Sequence, residues 1–253
     1  MNRTGLLIAL AVAVLAGLVF GLYPELDLAI AALFFNPATK RFISTAHPWL
    51  GLLRETAMWL ITLLIIPAIV ALAIKLIAPR RPLLMSGRAI IFLLGTLAFG
   101  PGLVVNVGLK DYWGRSRPID VPQLGGEERF TAWWDPRGVC PKNCSFVTGD
   151  GSGAFWTLAP AALAPPAWRP AAYAGALALG SGVGFLRMAF GGHFFSDIVF
   201  AAVITFLIIW VAYGLIYRWP RTRLTDQALE RAIERVALPP HDFVMRLFRK
   251  VGG

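Results

Sequence analysis

Charge is what this sequence has least of. Asp, Glu, Lys and Arg make up 15% of its 253 residues, while 57% are hydrophobic. An ordinary soluble domain carries charge on about a quarter of its residues, so that class is excluded. Cysteine is confined to Cys140 and Cys144, which rules out a multi-bridge scaffold and a thiolate-rich metal centre. Histidine is limited to His47, His193 and His241. None lies beside the cysteines, so neither a metal nor any other cofactor is expected. Internal repeats and low-complexity tracts are also missing.

What fills the chain instead is apolar runs. Six approach the length of about 20 residues that crosses a bilayer, at residues 4–23, 56–78, 89–108, 152–166, 171–190 and 194–217. The fourth is short and crowded by Pro160, Pro165 and Pro166. No convincing small-residue cleavage site follows the first run, which reads as an uncleaved anchor. The predicted fold class is all-α, a polytopic membrane protein with six transmembrane helices. Its membrane domain covers residues 1–217, with outer loops 24–54 and 110–151. A basic tail, 218–253, places Leu229, Ala232, Ile233 and Val236 at helical spacing and reads either as an amphipathic helix on the membrane surface or as a solvated segment.

The net charge of +10 could suggest nucleic acid. Its distribution argues otherwise. Alternating connections put 14 of the 24 basic residues on one side of the membrane, with four of the 14 acids, so the whole excess lies there. That side is expected to be cytoplasmic, with both termini. The bilayer is the expected partner, and no oligomeric state is legible.

Every unusual polar stretch then falls on the outer side. The apolar patch at 28–35 is expected to lie along the membrane surface. After the third run comes Lys110-Asp-Tyr-Trp-Gly-Arg-Ser-Arg117-Pro118, which alone reads as a solvated boundary. The fourth run opens with Val147-Thr148-Gly149-Asp150, a turn whose backbone N–H groups suit an anion. The stretch from Leu186 to Asp197 contributes Arg187, His193 and Asp197, and alone is as consistent with a satisfied polar cluster. Together the three segments offer three cations, a helix N-terminus and a His–Asp pair, an inventory that suits a phosphate dianion beside an imidazole nucleophile.

These motifs resemble those of the type 2 phosphatidic acid phosphatases, the lipid phosphate phosphatase superfamily, in its bacterial membrane branch. The first motif, Lys-x6-Arg-Pro, is intact as Lys110, Arg117 and Pro118. The third, Ser-Arg-x5-His-x3-Asp, is intact except that Leu186 replaces the Ser. The second, Pro-Ser-Gly-His, survives only at Gly149. The resemblance implies that His193 attacks phosphorus and forms a phosphohistidine, and that Asp197 orients it. It implies that Lys110, Arg117, Arg187, Thr148 and Gly149 bind the phosphoryl group. Asp150 stands where the family has the His that protonates the leaving oxygen. Three readings follow: a tuned general acid, a leaving group that needs little protonation, or a protein that binds without turnover.

Cys140 and Cys144, four positions apart, can brace the outer loop with a disulfide in an oxidising compartment or remain inert thiols. Trp133, Trp134 and Phe130 suit either a membrane interface or plain loop packing. The expected function is removal of phosphate from a lipid at the periplasmic face of a bacterial inner membrane. Phosphatidic acid, polyprenyl diphosphate and lipid A are candidate substrates, with a lean toward a glycolipid. Rival readings are a phosphotransferase acting between lipids and a non-catalytic phospholipid-binding protein.

Overall fold

The protein is described from a computed structural model, over Met1–Val251. Gly252 and Gly253, and the side chains of Val244 and of residues 247–251, including Arg249 and Lys250 counted in the basic tail, lie outside the described residues.

α1 (Arg3–Leu22) starts where the Asn2 side chain accepts the Gly5 N–H at 2.9 Å, capping a free helix N-terminus. Only 11% of its apolar window is buried within the protein, so most of its surface is left for lipid. α2 (Glu25–Ala32) opens with Glu25 and Asp27, whose charges suit the positive end of a helix. A two-residue antiparallel ribbon follows, β1 (Phe35–Asn36) against β2 (Arg41–Phe42), with Phe35 opposite Phe42. The apolar patch at 28–35, expected on the membrane surface, packs largely within the protein. Ala31 and Phe42 are buried against Val121, Leu124 and Phe194, with Leu28, Phe34 and Phe35 packed around them, while Leu33 remains exposed.

α3 (Trp49–Ile77) begins before the expected start of the second run and carries Pro67 within it. α4 (Gly87–Tyr112) follows, and from Ala98 to Leu109 it is wound as a π-helix around Pro101. Proline offers no N–H to the helix ladder, and the wider turn accommodates the gap. α1, α3, α4 and the last helix of the bundle, α8 (Phe195–Arg218), are the four long and apolar enough to cross a membrane.

The fourth run forms two short helices, α5 (Gly149–Phe155) and α6 (Leu158–Leu163). Pro160 cannot donate to the Trp156 carbonyl, which takes the Ala159 N–H at 2.8 Å instead. Trp156 is fully buried, and its indole N–H reaches Thr96 Oγ1 on α4 at 3.0 Å. α7 (Arg169–Ala189) is a 21-residue helix diluted by glycines. Two of those glycines set its packing. A Cβ on Gly180 would lie 2.2 Å from the Phe155 ring, and one on Gly184 would lie 2.4 Å from Ile198. The small-x-x-x-small spacing therefore serves close approach of α7 to α5 and α8.

α9 (Asp226–Val251) is amphipathic, but it is also tied to the bundle through charges. Lys75 of α3 is 1% exposed and donates to Glu230 at 2.9 Å, Glu234 at 2.5 Å and the Arg81 carbonyl at 2.7 Å. Asp226 accepts from Ser86 and Arg88. Leu229 and Ala237 are buried, whereas Val236 faces out. Removing the buried ammonium leaves two carboxylates without their shared cation, a loss of a few kcal/mol. Lys75→Met is therefore expected to raise the rate of tryptic cleavage at Arg231 or Arg235 at least ~10-fold while the bundle stays folded. Unchanged cleavage kinetics would show that the tail docks by other means.

Candidate active site

His193 lies in the turn between α7 and α8 and is 1% exposed. Its Nδ1 is 2.6 Å from the Ser145 carbonyl oxygen. A carbonyl only accepts, so Nδ1 carries the proton and Nε2 keeps its lone pair. Asp197, in the first turn of α8, comes no closer to Nδ1 than 3.7 Å. Its Oδ2 instead accepts the Phe194 N–H at 2.8 Å and the Ser145 hydroxyl at 2.5 Å. The acceptor that fixes the imidazole tautomer is thus the Ser145 carbonyl, and Asp197 acts on the ring through Ser145 and through its negative charge. Burial dominates the proton affinity of His193 and pushes it down to about 4, against the pull of Asp197.

Asp197 is itself held by a residue absent from the motif reading. Arg115, from the middle of the first motif, is fully buried. It donates to Asp197 Oδ1 at 2.6 Å, Ser196 Oγ at 2.9 Å, Asp27 Oδ2 at 2.7 Å and the Thr131 carbonyl at 3.1 Å. Its guanidinium also sits 4.4 Å from the Phe194 ring centre. Asp27 closes the network by accepting the Ser196 N–H and hydroxyl. α2, the outer loop and the start of α8 meet at this one cation.

The three motif cations converge on the same side. Lys110 ends α4, Arg187 ends α7, and Arg117 donates to the Asn143 carbonyl at 2.6 Å. Lys110 and Arg187 are near enough to His193 to bear on its charge, and Arg117 bears on both of them. Thr148 is buried and caps α5, its Oγ1 accepting the Gly151 N–H at 3.2 Å. At Gly149 a Cβ would lie 2.4 Å from Asn106 Oδ1, so a side chain there would displace Asn106 where this turn approaches α4. Gly192 has a parallel role, since a Cβ there would meet Arg187 Nη2 at 2.6 Å.

Asp150 is paired with Arg54 of α3 at 2.7 Å and lies 3.4 Å from Arg187 Nε. Burial alone would raise its carboxyl, but Arg54 and Arg187 hold it below the ordinary carboxylate range. Arg54 and Asp27 were not singled out in the sequence. The available signal was a lone charge at the edge of an apolar segment, which is costly unless partnered.

Cys140 and Cys144 form a disulfide with Cα atoms 5.8 Å apart, just before Ser145. The loop aromatics divide. Trp133 stacks on Phe200 at 4.2 Å and Phe130 packs on Phe194 at 5.3 Å, whereas Trp134 is exposed. His47 is exposed beside Trp49. An apolar groove of about 400 Å³ opens between α3 and α7, bounded by Leu53, Ala57, Gly182, Val183 and Leu186, the last of which adjoins Arg187 in sequence.

A relative described as a lipid A 4'-phosphatase, from Francisella tularensis subsp. novicida (strain U112), is 37% identical over 219 residues, which cover 86% of this chain and 98% of that protein. Another of the same description, from Rhizobium leguminosarum, is 41% identical over 106 residues, or 42% of this chain and 46% of that one. No solved structure matches. The family model described as the PAP2 superfamily matches residues 89–221, which take in all three motifs, and the chain belongs to that superfamily.

Proposed function

We propose that this membrane protein removes a phosphate ester from a glycolipid of the lipid A class, through a phosphohistidine on His193, at the periplasmic face of the inner membrane. Membership of the superfamily makes it a hydrolase of lipid phosphate esters. The observation that carries the mechanism is the His193 Nδ1–Ser145 carbonyl contact, which leaves a neutral imidazole with a free Nε2 lone pair under the influence of Arg187 and Lys110. The similarity to lipid A 4'-phosphatases over most of the chain supports the substrate class.

Nε2 attacks phosphorus, the bond to the sugar oxygen breaks, and Lys110, Arg117 and Arg187 stabilise the charge spreading over the phosphoryl oxygens. Water then attacks the phosphohistidine and releases phosphate. Without substrate, Asp150 is an ionised partner of Arg54 and Arg187. An arriving phosphate competes for both guanidiniums and adds negative charge, which raises the Asp150 carboxyl. The second ionisation of a phosphomonoester falls near pH ~6. A monoanionic substrate therefore brings the proton that Asp150 passes to the leaving oxygen.

Six spans with both termini in the cytoplasm fit the charge distribution: the excess of +10 lies on the face opposite the site. A disulfide on the site face suits the periplasm. The groove between α3 and α7 gives acyl chains a lateral path to the cations.

His193→Ala is expected to lower phosphate release by at least ~10³-fold and to abolish an acid-labile phosphoenzyme. Turnover equal to the parent's would exclude the covalent mechanism. Protonation removes the Nε2 lone pair, and above pH ~6 the proton-bearing monoanion gives way to the dianion, so kcat/KM should be highest at mildly acidic pH, falling below about pH 4 with His193 and above pH ~6 with the substrate. An acid limb centred near pH 6.5 would contradict this. Asp150→Asn should lose about 10²-fold on alkyl phosphate esters and much less on aryl esters, whose leaving group needs no proton. Equal losses on both would remove the acid role. A Cβ on Gly182 meets nothing within 4 Å. Gly182→Phe should therefore fold normally and fill the groove, raising KM for the acylated lipid but not for a short-chain ester. An unchanged KM for the lipid would rule out this path.

A further inference from the structure

A large cavity lies at the end of the bundle away from His193. It measures about 1000 Å³ and opens between α1, α7 and α8, with apolar walls that include Ile8, Val12, Leu177 and Phe206. Its far end is cationic. Arg169 and Arg218 both line it, with Tyr173 and Tyr217 beside them.

Neither arginine has an acidic partner among the described residues. Arg169 donates Nε and Nη2 to the Ala164 carbonyl at 3.2 and 3.0 Å. Arg218 donates Nη1 to the Met1 carbonyl at 3.3 Å and stacks over Trp210 at 4.3 Å. Its Nη2 is buried with no hydrogen-bond partner among the described residues. The four acids of this face are engaged elsewhere. Asp226 pairs with Arg88, Glu230 and Glu234 with Lys75, and Asp242 with Arg80. A buried guanidinium nitrogen without an acceptor costs free energy, and a phosphodiester supplies acceptors in the geometry that guanidinium prefers.

The walls decide between a soluble anion and a lipid. Ile8 and Val12 are exposed on α1, so the cavity is open sideways to the bilayer. We propose that this cavity holds an anionic phospholipid of the surrounding membrane, its phosphate on Arg169 and Arg218 and an acyl chain along Ile8, Val12 and Phe206. The site is separate from the candidate active site and does not depend on the reading of that site. It fastens α1, which has little buried surface of its own, to α7 and α8.

The test uses the full chain in detergent with equal amounts of phosphatidylglycerol and phosphatidylcholine of the same acyl composition, read by native mass spectrometry. The parent is expected to retain phosphatidylglycerol preferentially. Each of Arg169→Gln and Arg218→Gln should weaken that preference about 10-fold, the loss of one charge-assisted hydrogen bond. Ala9→Trp, on the cavity wall, should expel both lipids. Phosphate release by each variant reports that it is folded. If Arg218→Gln does not fold, Arg169→Gln, which bonds only to one carbonyl within the chain, serves as the test. Equal retention of the two lipids by the parent, or an unchanged preference in a folded arginine variant, would overturn the proposal. Displacement of phosphatidylglycerol by millimolar inorganic phosphate would assign the site to a soluble anion and overturn it as well.

Discussion

A guanidinium with no access to water is among the least tolerable groups in a protein interior unless every donor is met. Arg115 finds an acceptor for each of its three nitrogens by drawing on three elements: Asp27 of α2, Thr131 of its own outer loop, and Ser196 and Asp197 at the head of α8. Asp197 then fixes Ser145 through its hydroxyl, and the Ser145 carbonyl fixes His193. The orientation of the imidazole is inherited from this cation. The same network explains why α2 and its ribbon turn their apolar side toward Val121 and Phe194, since Asp27 can reach Arg115 only from there.

Much of the site was legible because its residues break a strong background. In an apolar chain a Lys, an Arg or a His at the edge of a span needs a reason, and three such segments with matched spacing pointed to one phosphate. The long helices were legible for the same cause, since length and apolarity are local properties. What could not be read is what depends on contacts across the chain. Arg54 and Asp27 belong to no local pattern, and their partners Asp150 and Arg115 are 96 and 88 residues away. Main-chain acceptors carry no residue signature, so the Ser145 carbonyl was invisible. The break in the fourth run was half visible in its prolines, but the seat for Trp156 at Thr96 was not. The tail's apolar spacing was read as a membrane face. The buried Lys75, one of many basic residues on that side, also ties the tail to the bundle, which no local pattern showed.

Asp150 illustrates how position and charge state can part company. Its place beside Arg187 follows from the second motif, yet its ionisation is governed by Arg54, from a helix that contributes nothing to the motifs. A carboxylate among guanidiniums is a stable resting state and a poor acid. It becomes useful only when another anion takes its partners. In the proposed mechanism, charge exchange of this kind ties the chemistry to occupancy, because the substrate phosphate brings the proton that Asp150 passes to the leaving oxygen.

The contact from His193 to a backbone carbonyl has a genetic consequence. Every amino acid carries a carbonyl, so no exchange of the side chain at position 145 can delete the group that sets the imidazole tautomer. Substitution there does lose the hydroxyl bond to Asp197, through which the Arg115 network steadies this carbonyl. The lesions that would misdirect the ring are those that let this stretch of chain shift, and they fall on buried residues with no chemistry of their own.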